Sequence, residues 1–278
     1  MSFIDDIDNA LHALEATTEQ VATRLAELGN FGTAGPRPSD HPLVAPPVPH
    51  PAFVNGWWSG ARRVAAHPGR IGPPIRAVST GLHSTDMLPD DWEALIDSWS
   101  KRPGDGACAN FLLGRDEHQG VVQLIPTTRN SNHMGGDGHG VFVIGGKQVH
   151  PNLVTNSIEI HCAGGVRLIN GQWRLVENGA AHGAPLPAED VIPDPARPGR
   201  GLHKITDYQR AMVKQLLADL GAAQAPLPAG VSTRAFGETP PSWSKHAGCR
   251  VVVHAEMDPV HRADPWQHGC AFVRELGL

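Results

Sequence analysis

The sequence predicts an α/β domain built on a mixed central β-sheet flanked by helices and preceded by an N-terminal amphipathic helix. Three observations carry this expectation. Short runs of β-branched and apolar residues alternate with segments of helical periodicity in the region from Trp57 onward. Two of those runs read as a hairpin, which requires antiparallel pairing beside the parallel pairing that strand–helix alternation implies. Ahead of them, a heptad stripe is set apart by a proline-dense stretch.

The stripe places Ile4, Ile7, Leu11, Leu14, Val21, Leu25 and Leu28 at alternating spacings of three and four, interrupted only by Thr18. It predicts one amphipathic helix over residues 1–28, able to self-associate, to dock on a partner, or to pack on the same chain. Residues 29–55 then carry Pro36, Pro38, Pro42, Pro46, Pro47, Pro49 and Pro51. That density removes backbone donors and favours an extended, semi-rigid linker. The compact domain is expected over residues 56–278.

Within it, "IRAVSTGLHST" reads as a strand ending at His83, and "DDWEALIDSWSK" as a helix with Asp90 or Asp91 near its N-cap. "ANFLLGRDEHQGVVQLIP" predicts a hairpin turning around residues 116–120. "NSIEIHC" is a short buried strand, and "VRLINGQWRLV" turns at Asn170-Gly171, the strongest short-range signal for a type I′ hairpin. The Pro- and Gly-rich residues 183–201 are expected to form a long loop. "ITDYQRAMVKQLLADLG" is a helix capped by Thr206 or Asp207 and stopped at Gly221, and "CRVVVH" is the last core strand.

Composition narrows the function. A formal charge of −5 with 18% charged residues gives no basic stripe, so nucleic acid is not expected as a partner. The first residues are acidic where a secretory signal would place Lys or Arg, and no apolar run is long enough to cross a bilayer. The expectation is a chain made in the cytoplasm that reaches an external target only after release or delivery. Cys108, Cys162, Cys249 and Cys270 form no Cys-x-x-Cys pair, which argues against a zinc ribbon and a disulfide framework and for buried free thiols.

The chemistry is concentrated in "VVVHAEMDPVHRADPW", residues 251–266. His254 ends a strand and Asp264 follows ten residues later, after a turn-forming Asp-Pro, so an imidazole and a carboxylate can converge on one divalent ion. Hydrolytic zinc takes three protein ligands and leaves a fourth position for water. His83, closing another core strand, is the best third candidate. In "NSIEIHC" a period of two puts Ser157, Glu159 and His161 on one face and Ile158, Ile160 and Cys162 on the other. A carboxylate in the middle of such a strand is costly unless paired with a cation or used as a general base.

The order "GLHST", "NFLLGRDEHQGVVQLIP", "NSNHMGG", "NSIEIH", "TDYQRAMVKQLLADL", "VVVHAEMDPVHRADPW" resembles the zinc-dependent N-acetylmuramoyl-L-alanine amidases of type 2, whose fold is shared with the peptidoglycan recognition proteins. The resemblance spans roughly residues 72–270, and its specificity lies in six motifs standing in the family's order. It implies zinc held by His83, His254 and Asp264, with Glu159 as the catalytic carboxylate. It also implies that His133 lines the substrate groove. The family usually has Lys two residues before the ligand Asp; Arg262 stands there, beside His261. Arg cannot serve as a proton donor but can stabilise an oxyanion, and His261 supplies a titratable group against the substrate.

The implied substrate is peptidoglycan, and the implied bond is the amide joining the lactyl group of N-acetylmuramic acid to L-alanine of the stem peptide. Such an enzyme is consistent with a phage endolysin, a bacteriolytic effector or a cytoplasmic enzyme that recycles wall fragments, and the heptad segment and proline-rich linker favour the first two. Two alternatives remain at the level of sequence. A zinc D,D- or L,D-peptidase would match Ser131, His133 and Gly136, but has Gly140 where its ligand Asp belongs. A non-catalytic peptidoglycan-binding module of the same fold would need no complete ligand set.

Overall fold

A computed structural model describes residues 50–103, 108–134, 141–177, 180–195, 197–225, 232–234, 244–246 and 249–254. The heptad segment, all but the end of the proline-rich linker, and residues 255–278 with His261, Arg262 and Asp264 lie outside the described residues.

In chain order the strands are β1 (Phe53–Val54), β2 (Trp57–Trp58), β3 (Arg62–Arg63), β4 (Ser79–Ser84), β5 (Phe111–Leu113), β6 (Val121–Gln123), β7 (Val141–Ile144), β8 (Lys147–Val149) and β9 (Thr155–Ile160). They continue as β10 (Gly165–Ile169), β11 (Gln172–Glu177), β12 (Ala180–Leu186), β13 (Val191–Pro193), β14 (Arg200–His203), β15 (Ser232–Arg234), β16 (Ser244–His246) and β17 (Cys249–Val253). Two helices, α1 (Trp92–Lys101) and α2 (Asp207–Ala223), are interspersed.

The central sheet has the order β16-β17-β4-β9-β5-β6-β3. Its middle pairs, β17 with β4, β4 with β9 and β9 with β5, are parallel, whereas β5 with β6 and β16 with β17 are antiparallel. The fold is therefore α/β with a mixed sheet, as the alternation of strands and helices predicts. Side-chain alternation gives each face its own partner. Leu82, Phe111, Leu113, Ile158, Ile160 and Val251 meet Val213, Leu216, Leu217 and Leu220 of α2. On the other face, Leu112, Val122 and Leu124 meet Trp92, Leu95 and Ile96 of α1. Each such aliphatic side chain, fully buried, contributes about 1.5–3 kcal/mol.

Both predicted hairpins form. β5 and β6 pair across the turn at residues 114–120, and β10 and β11 pair across Asn170 and Gly171, whose φ values of 51° and 76° are those a type I′ turn requires. Thr206 caps α2 through a capping box with Gln209. The helix does not stop at Gly221. It runs to Ala223 because Gln224 ties its end to the sheet, donating through Nε2 to the Ser79 carbonyl at 3.0 Å and to Thr80 Oγ1 at 2.8 Å.

The larger correction concerns residues 183–201. Instead of a long loop, they contribute to a five-stranded antiparallel sheet of order β12-β11-β10-β14-β13. Pro185 and Pro193 lie in β12 and β13, its two edge strands, where a missing N–H costs no ladder bond. Gly183, at φ 62°, sits where the β11–β12 register shifts between Trp173 and Leu175. A Gly- and Pro-rich composition is thus compatible with edge strands and a bulge as well as with a loop.

Candidate active site

Parallel register assembles the site. Val253 pairs with Leu82, so His254, one step further, falls beside His83, and His83 pairs in turn with Glu159. Three neighbouring strands thereby deliver an imidazole, a second imidazole and a carboxylate in one row near the C-terminal end of the sheet, on the face away from α2. The His83 and His254 rings lie 4.6 Å apart between centroids, and His83 Nδ1 is 4.0 Å from Glu159 Oε1. His83 and His254 are 1% and 4% exposed, while the Glu159 side chain reaches 15%. The carboxylate is thus the member of the row nearest to solvent.

His133 joins the row from outside the sheet. Its segment is pinned by Asn132 N–H donating to Asn130 Oδ1 at 2.6 Å and by Met134 N–H donating to Asn152 Oδ1 at 2.7 Å. The ring lies edge-on to His83 at 5.0 Å, with Nδ1 2.8 Å from His83 Nε2 and Nε2 2.7 Å from Thr155 Oγ1. Burial, reinforced by His83 and then His254, holds the His133 pKa well below the usual histidine range, so the ring is neutral.

Behind the row, Asn110 locks β9 to the neighbouring loop. Its Oδ1 accepts from Ser157 N–H at 3.0 Å, and Ser157 Oγ lies 2.8 Å from Ser131 Oγ. His161 shares the strand face of Glu159, as the period of two predicts, and on that face it meets α1 rather than the row. Its Nε2 donates to the Pro89 carbonyl at 3.2 Å and its ring packs 5.3 Å from Trp92. Cys108 and Cys162 are buried free thiols, both pushed up to about 12 by burial, which leaves them protonated and without a nucleophilic role.

Among the sequence-predicted residues, His83, His254, Glu159 and His133 are brought together. Asp264, Arg262 and His261 lie outside the described residues, and among the described residues no three His, Cys, Asp or Glu side chains form a metal-binding group. The donor set nonetheless fits zinc. Two buried imidazoles stand side by side at adjacent strand ends, a neutral third imidazole backs one of them, and a carboxylate faces it. Sequence reading missed Thr155 and Gly81. A Cβ on Gly81 would collide with Met134 Cε and meet His133 Cε1 at 2.8 Å, so only glycine admits the His133 ring here. A glycine inside a strand, two residues before a candidate ligand, was the available signal.

No family model matches the chain, and neither does any curated protein. Solved structures do resemble it. A selenomethionine derivative of AmpD aligns over 81% of this chain and 98% of its own, at 16% identity and a TM-score of 0.42. The N-acetylmuramyl-L-alanine amidase AmiD from E. coli, in complex with the substrate anhydro-N-acetylmuramic acid-L-Ala-D-gamma-Glu-L-Lys, aligns over 74% of this chain and 59% of its own, at 15% identity and a TM-score of 0.40. AmpDH3 from Pseudomonas aeruginosa aligns over 74% of this chain and 61% of its own, at 14% identity and a TM-score of 0.41.

Proposed function

We propose that the chain is a zinc-dependent peptidoglycan amidase that cleaves the bond between the lactyl group of N-acetylmuramic acid and L-alanine of the stem peptide. The observation that carries this reading is the row His254, His83, Glu159 on three adjacent parallel strands. It joins two buried imidazoles to a carboxylate that reaches solvent. The six motifs of the sequence, in their order, supply the substrate class.

In this reading His83, His254 and Asp264 hold zinc, which when bound lowers the pKa of water and polarises the scissile carbonyl. Glu159 takes the proton of the attacking water and returns it to the leaving amine nitrogen. Its partly open position lets it reach both. Arg262 offsets charge on the oxyanion through its fixed donors, and His261 contacts the substrate beside it. The segment preceding the catalytic domain favours an enzyme delivered to the wall, as a phage lysin or a cell-wall-lytic effector.

The test is digestion of purified peptidoglycan by the full chain loaded with zinc, followed by mass spectrometry of the soluble fraction. Free stem peptides beginning with L-alanine are expected, lost on chelation and restored by zinc. Glu159→Gln should keep wall binding and lower turnover by roughly 10²- to 10⁴-fold. Zinc-loaded chain that binds peptidoglycan and releases no peptide would assign it instead to the non-catalytic module.

A further inference from the structure

The hydrogen bonds behind the row have a direction that the sequence does not disclose. Thr155 Oγ1 lies 2.8 Å from the Pro151 carbonyl, which can only accept, so the hydroxyl proton is committed there. The same oxygen is 2.7 Å from His133 Nε2 and must therefore accept from it, which places the His133 proton on Nε2. A neutral imidazole protonated at Nε2 is bare at Nδ1. His133 Nδ1, 2.8 Å from His83 Nε2, can then only accept, and the His83 proton belongs on Nε2. The remaining nitrogen of His83, Nδ1, faces Glu159.

We infer that His133 is a positioning residue: seated over Gly81 and oriented by Thr155, it fixes His83 as the tautomer that presents an Nδ1 electron pair to the catalytic row. The inference rests on the reading of His83 as a metal ligand for its purpose, but not for its geometry. The place for the ring is structural. Gly81 precedes His83 by two residues on the same strand face, and its missing Cβ opens the slot in which His133 spans from Thr155, at the start of β9, to His83, near the end of β4. The reverse assignment would turn the Thr155 hydroxyl away from the Pro151 carbonyl and put a proton on His83 Nδ1, where it would block metal binding. Groups placed behind a ligand in this way commonly change metal affinity by about 10- to 100-fold when removed.

The experiment is two-bond ¹H–¹⁵N correlation of the imidazoles in the metal-free full chain, joined to zinc titration of the wild type, Thr155→Val and Thr155→Ser. His83 and His133 are both expected as Nε2–H tautomers. Thr155→Val should leave His83 a mixture of tautomers and weaken zinc binding about 10- to 100-fold. Thr155→Ser, which keeps the hydroxyl, should restore both. A wild-type His83 protonated at Nδ1 overturns the inference, and that spectrum decides even where Thr155→Val fails to fold. So does a folded Thr155→Val that keeps the wild-type tautomer and an affinity within about twofold of wild type. If the wild type shows the expected tautomers, Thr155→Val scrambles them and no variant binds zinc, the relay stands and the metal reading of the site fails.

Discussion

His203 shows how one buried titratable side chain contributes to the pH dependence of stability. It is fully buried at the end of β14, where Nδ1 accepts from Ala163 N–H at 2.9 Å and the Arg115 guanidinium lies 3.5 Å away. Burial, then Arg115, then His161 bring its pKa down to about 3 from an ordinary 6.5. The unfolded chain takes up this proton below pH 6.5 whereas the folded chain refuses it until about pH 3. Stability is therefore fully present above the unfolded value and falls as pH drops toward the folded one. The loss between pH 7 and pH 5 is roughly 2 kcal/mol from this group. His203→Asn keeps an acceptor for Ala163 without the titration. Urea unfolding at the two pH values should show a pH dependence smaller by about that amount; equal dependence in the two proteins would remove His203 as the cause. At this scale His83, Glu159 and His254 were legible, because strand ends and a period of two locate them without knowledge of pairing. Thr155 and Gly81 were not. Their role depends on the register of β4 against β9, strands more than seventy residues apart in sequence, and on where His133 enters from a segment outside the sheet.

At the scale of elements, the N-terminus of α2 is where local sequence and tertiary structure agree most closely. Thr206 Oγ1 accepts from Gln209 N–H at 3.1 Å and donates to the Arg115 carbonyl at 2.6 Å, while Gln209 Nε2 donates to the His161 carbonyl at 2.9 Å. One capping box therefore closes the helix and ties it to the β5–β6 turn and to the exit of β9, two residues past Glu159. Thr206→Ala should cost about 1 kcal/mol for the cap and about 1 kcal/mol for the bond to Arg115, read as a lowered urea midpoint. Thr206→Ser should recover most of it, because it keeps the hydroxyl that makes both bonds. The cap was legible because its partners are three residues apart. The opposite end of α2 and the strands within residues 183–201 were not, since a glutamine anchored to a distant strand and an edge position that tolerates proline are properties of the assembled sheets.

For the whole molecule, the four apolar clusters give the decisive boundary. Among the described residues their members lie between Ala52 and Val252, and the first packed residues, Ala52 and Phe53, are held by His50, which accepts from Ala52 N–H through Nδ1 and from Phe53 N–H through its carbonyl. A cut placed before His50 removes no described member of any cluster, whereas a cut at Trp57 would strip Ala52 and Phe53 from the core beneath α2. The heptad stripe of residues 4–28 lies outside the described residues, and truncation separates its three uses: self-association, docking on a partner and packing on this chain. Removing residues 1–48 should change the melting temperature by less than a few degrees and leave the proposed peptidoglycan cleavage, per site, unchanged. Light scattering should at the same time show a larger particle for the full chain if the stripe self-associates, and equal association states if it docks elsewhere. Loss of folding on truncation would instead place the heptad helix against a surface of the folded domain.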